Sequence, residues 1–192
     1  MPLNLNALAR LRAYAAHNDP ATAMANTVAL SVGGNMPFYP LYMLVLLGWH
    51  VFPLCLLTAL ATPAFLVVPW LSRHSSLGGR LALPIIGTIN TLWCLKLLGG
   101  TSGVGLFLFP CILLAALLFR AGERWLCLGL ATLALVLYFL SGHILGAPVI
   151  PLNVNEARIM TVLNTASVAT LTWLLALLFS SLLEKARLNR IN

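Results

Sequence analysis

Long apolar runs alternate with short clumps of basic residues along this chain, and that alternation constrains its fold more than any motif does. A helix needs about 20 apolar residues to cross a hydrocarbon core about 30 Å thick. Runs of that kind fall at about 21–47, 51–71, 81–98, 104–119, 125–141 and 157–183. Charged residues make up 8% of the chain, against roughly a quarter in soluble domains. Water cannot be the main solvent of such a surface. The expected fold class is all-α, a polytopic membrane protein with six transmembrane helices. Its 192 residues form a single domain with no room for a soluble catalytic unit beside it.

The basic residues set an expected orientation. With six spans, both termini share a side with the loops around Arg73, Arg80, Arg120 and Arg124. Arg10, Arg12, Lys185, Arg187 and Arg190 fall there too, leaving only Lys96 and Arg158 for the opposite side. Positive charge marks the cytoplasmic face, so both termini are expected in the cytoplasm of a bacterium, with the bundle in its inner membrane. The net charge of +7 is thereby assigned to orientation and anionic headgroups, not to nucleic acid.

Residues 1–19 read as an interfacial segment, 20–183 as the bundle and 184–192 as a cytoplasmic tail. Leu3, Leu8, Leu11 and Ala15 recur at helical spacing around Arg10 and Arg12, the pattern of an amphipathic helix lying among headgroups. Asp19 before Pro20 is an N-cap signature. No signal peptide precedes the first span, which is expected to do the targeting. Pro37 and Pro40 remove backbone donors and predict a kink there. Ala21, Ala25, Ala29 and Gly33 form a small-residue stripe suited to close helix approach. The run SRHSSLGGR (72–80) reads as a polar basic loop, and GGTSGVG (99–105) as a flexible turn. Cys55, Cys94, Cys111 and Cys127 lie singly in apolar runs, so no disulfide framework, metal site or cofactor is expected.

Polar side chains within spans are functional candidates by default. Asn35, Asn90 and Asn164 fall near mid-depth and are candidates for lining a polar pocket; the plainer alternative is hydrogen bonding across helix pairs. Lys96 sits too deep for a loop charge and is expected to snorkel or to pair with Glu156 at the start of the last span. The segment 141–158 is the only outer loop long enough for a lid. It supplies His143, Glu156 and Arg158, with His50 on the same face. These eight residues form the candidate ligand-binding set. Hydrolase, protease, P-loop and zinc motifs are absent, and the chain is read as a non-enzyme.

The layout resembles the six-helix N-terminal membrane domains of bacterial class III adenylate cyclases and quorum-sensing histidine kinases. The similarity rests on short loops across residues 20–192 and on a last helix leaving the membrane as SSLLEKARLNRIN. GGNMPFYPLY and NTASVATLTWLLALLF are also similar to small uncharacterised bacterial membrane proteins of this kind. The resemblance implies a sensor or anchor module that detects a small polar or amphipathic molecule on the periplasmic side. The last helix would carry the signal. Since no cyclase or kinase region is present, the chain is expected to act through a protein partner or a homo-oligomer. Two other classes stand beside it. A small transporter or channel is favoured by the mid-depth asparagines and proline-broken helices. An accessory subunit of a larger membrane complex is favoured by the small-residue stripe.

Overall fold

The computed structural model describes residues 5–188. Every regular element among them is helical. The helices are α1 (Leu5–Ala15), α2 (Pro20–Asn35), α3 (Phe38–Leu47), α4 (Phe52–Cys55), α5 (Thr62–His74), α6 (Ser76–Leu98), α7 (Leu108–Leu118), α8 (Arg124–Ile144) and α9 (Val154–Leu188), with 3-10 turns between several of them. Five segments are long and apolar enough to cross a membrane: Pro20–Leu47, Phe52–His74, Ser76–Leu98, Ala121–Ile144 and Val154–Glu184. Val104–Leu118, the expected fourth span, is apolar but shorter. Glycines at its start and an extended Phe119 at its end cut it short.

Local chemistry explains the helix ends. Asp19 caps α2 by accepting from the Thr22 amide, and Pro20 occupies the first turn, where no donor is needed. The helix breaks after Asn35 because Pro37 has no N–H to continue it, and α3 restarts at Phe38. Ser75 caps α6 through the Gly78 amide at 3.0 Å. Asn153 and Glu156 open α9 with a reciprocal capping box, each side chain accepting the other's backbone N–H.

Two sequence expectations change. Residues 72–80 are not a loop: α5 runs to His74, α6 begins at Ser76, and Arg80 is a buried helical residue. Residues 99–105 are not a free turn either. Ser102 is fully buried, and Gly103, at φ +74, lies so close to α9 that a Cβ would meet the Thr161 backbone at 3.1 Å. α9 runs on as helix past residue 184 to Leu188. Leu3 and Arg190, and the side chains of Lys185 and Arg187, lie outside the described residues.

Lipid tails are as apolar as leucine, so close packing and buried polar bonds, rather than escape from water, hold such helices together. The small-residue stripe is used within the chain. Ala25 and Ala29 are fully buried, and a Cβ on Gly33 would sit 3.0 Å from Phe65 of α5. One core gathers Met24, Val28, Phe65, Leu83, Leu118 and Leu175. A second gathers Met43, Val51, Leu97, Ile150 and Met160 at the other end of the bundle. Asn26 ties three helices near the first core: its amide donates to Ala15 of α1, and its oxygen accepts from Ser72 of α5 at 2.6 Å.

Candidate functional site

The residues expected at the outer face do not form one site. Lys96 Nζ donates to the carbonyls of Leu145 and Ala147, each at 2.9 Å. It makes no ion pair among the described residues. The expected pairing with Glu156 is therefore replaced by backbone acceptors, which the end of α8 and the following turn supply. Their segment is pinned further by Val149 and Ile150, whose amides donate to the carbonyls of Lys96 and Leu97. Glu156 caps α9 and lies 3.0 Å from His50 Nε2, an exposed contact. His143 is exposed at the end of α8, and Arg158 is exposed in the first turns of α9. Among the described residues, no three His, Cys, Asp or Glu side chains converge as a metal cluster.

The three asparagines also separate. Asn164 is fully buried and satisfied: Oδ1 accepts from Tyr39 OH at 2.8 Å, and Nδ2 donates to Ser102 O at 2.8 Å. It is an anchor joining α9 to α3 and to the turn before Val104. Asn35 and Asn90 behave differently. Both line a cavity of about 510 Å³ between the two cores, within the range of ligand pockets. Their amide nitrogens make no side-chain hydrogen bond among the described residues. Asn90 Oδ1 receives only a long 3.9 Å contact from the Cys94 thiol.

Helices α2, α3, α6, α7 and α9 all reach this cavity, and α9 supplies one wall from Leu163 to Leu174. No Asp, Glu, Lys, Arg or His among the described residues lines it. Six of its hydroxyls are already committed as donors, Tyr39 to Asn164 Oδ1 and Thr58 to the Cys55 carbonyl among them. Ser31 donates to Thr27 O, Thr91 to Gly87 O, Ser167 to Leu163 O and Thr170 to Ala166 O, each to the carbonyl one turn earlier. Each hydroxyl keeps lone pairs free to accept. No family model matches this sequence, and neither characterised proteins nor solved structures show a significant similarity to it. Any functional reading therefore rests on the geometry.

A second constellation lies at the opposite end of the bundle, outside the candidate set that the sequence suggests. Arg80, 2% exposed, donates through Nη2 to Glu123 Oε1 at 2.8 Å and through Nη1 to Glu123 Oε2 and to the Leu118 carbonyl. Its Nε lies 3.6 Å from Asp19, which also accepts from Arg120 at 2.9 Å and from Thr22 and Ser76. Burial pushes the Asp19 carboxyl up, but the bonds from Thr22, Arg120 and Ser76 outweigh it and hold the group down at about 2. Two of the chain's four acidic residues thus converge on one arginine. The one sequence signal for this is a common side: a count of six spans is expected to bring Asp19, Arg80, Arg120 and Glu123 to the same end of the bundle. The network leaves the buried Arg80 Nε without a hydrogen bond and acts as a clamp joining the start of α2, α6, the end of α7 and the start of α8.

Proposed function

We propose that this chain is a six-span module of a bacterial inner membrane that binds a small molecule in its mid-bundle cavity and passes occupancy to a partner protein through α9. The observation that carries this reading is the position of α9. Its outer end is anchored by Asn164 and Thr161. Its inner half packs through Leu171, Leu175, Leu178 and Phe179 on the first core. Between those attachments it borders the cavity. A molecule seated there presses on α9, which runs on as helix to Leu188, and differential contact of this kind is what shifts a conformational equilibrium. The small-residue stripe, consumed inside the chain, gives no support to the accessory-subunit alternative.

Filling the cavity from within tests the coupling. Ser167→Phe places a ring in it, and hydrogen exchange of α9 amides is compared with the parent in lipid nanodiscs. Changed exchange at 178–183, beyond the cavity, is the expected result; exchange altered only beside residue 167 contradicts transmission. Orientation has its own test. Cysteine placed at exposed Gly122 is expected to react with an impermeant maleimide from the cytoplasmic side only, and cysteine at exposed Thr101 from the outer side only. Reaction with the opposite polarity reverses the proposed topology.

A further inference from the structure

We infer that the cavity takes an uncharged, mainly apolar molecule bearing a hydroxyl or amide group, which enters from the lipid rather than from water. This rests on the binding reading above and names its ligand class. The polar groups on the wall define that class. With these serine and threonine hydrogens already given to helix carbonyls, the wall offers lone pairs at Ser31, Thr91, Ser167 and Thr170. Its unengaged donors include the amides of Asn35 and Asn90. A hydroxyl or amide can both donate to the former and accept from the latter. An anionic headgroup can only accept, and no cation in the wall repays its desolvation. A bare hydrocarbon fits the apolar majority of the wall but leaves both amides without partners.

The route follows from which wall residues are exposed. Ser31 and Asn35 on α2, Tyr42 on α3, and Ala166 and Thr170 on α9 line the cavity yet lie open to the surroundings. All lie within apolar segments, Ser31, Asn35, Ala166 and Thr170 midway along them and Tyr42 nearer an end, so the opening between the first span and the last helix faces acyl chains. The charged groups Lys96, His50 and Glu156 stand outside the lining and are occupied elsewhere.

Three diazirine photoprobes on the same dodecyl chain separate the outcomes: one with a terminal hydroxyl, one with no head and one with a sulfonate. The full chain is reconstituted in phosphatidylcholine vesicles, irradiated and mapped by peptide mass spectrometry. The alcohol is expected to label peptides spanning residues 87–94 and 163–174 about fivefold more than either other probe, roughly what one net hydrogen bond is worth. Asn90→Leu and Asn35→Leu, which remove no close side-chain hydrogen bond among the described residues, should each lower alcohol labelling toward the headless level. Ser167→Phe should suppress it. Equal labelling by the sulfonate overturns the uncharged class while leaving the binding reading intact. Equal labelling by the headless probe, unaffected by Asn90→Leu, makes the cavity a seat for acyl tails and overturns the head-group assignment. If no probe labels these peptides, the binding reading falls as well.

Discussion

Arg80→Met is expected to lower stability by about 3 kcal/mol, the lower end of the cost of removing one partner from a buried ion pair. Arg80 is buried, while Asp19 and Glu123 keep 14% and 21% of their side chains exposed, so water screens part of the loss. The substitution leaves Glu123 with the Arg120 amide but no ion-pair partner, removes the donor to the Leu118 carbonyl and leaves Asp19 with Arg120 as its remaining cation. Glu123→Gln should cost less, because Arg80 keeps Asp19 and the carbonyl. Combining Glu123→Gln with Arg80→Met should recover part of the loss, because the stranded charge is gone. Thermal unfolding in mild detergent orders the three variants, and an Arg80→Met protein within about 0.5 kcal/mol of the parent would refute the clamp. The acid limb has a definite sign. The Asp19 pKa falls from 3.8 to about 2 on folding, so its contribution is complete above the unfolded value and disappears as pH falls from there toward 2. Asp19→Asn should remove that contribution and no more of the acid limb.

The clamp shows where sequence reading stops. Features set by neighbours a few residues apart are legible: the Asp19–Pro20 start of α2, the break at Pro37 and the apolar lengths that make five helices long enough to span. Arg80 reads as a loop residue because Ser, Gly and Arg in SRHSSLGGR have loop composition, whereas a single non-helical residue, Ser75, suffices for the turn. Its partner Glu123 is 43 residues away, and nothing local announces it. The need of Lys96 for partners is plain from its depth, but those it finds are carbonyls, which every residue carries and no side-chain pattern reveals. The asparagines look alike as letters in apolar runs. Which one is satisfied and which face a cavity depends on Tyr39 and Ser102 arriving from distant segments. GGTSGVG has the composition of a flexible turn, yet Gly103 is there to let α9 approach.

Asn164→Leu is expected to cost about 2 kcal/mol, because one substitution of the same branched shape leaves a buried carbonyl and a tyrosine hydroxyl without partners. Both hydrogen bonds are 2.8 Å long. Interhelical bonds in membranes average only about 0.6 kcal/mol because their partners find substitutes in the unfolded state. The larger figure applies here because Ser102 and Asn164 are each fully buried. A double-mutant cycle with Tyr39→Phe isolates one bond, and a coupling of about 1 kcal/mol is expected. The location of the damage matters more than its size. Arg80→Met should loosen the end of the bundle around Asp19 and Leu118, whereas Asn164→Leu should raise hydrogen exchange first in α9, between Thr161 and Thr170. That stretch is held at its outer end by Asn164 and Thr161 and otherwise borders the cavity. If α9 exchanges as in the parent, apolar packing from Leu171 to Leu182 holds the helix by itself. A cavity ligand would then have no loosely restrained element to move, and transmission through α9 would fail at its first step.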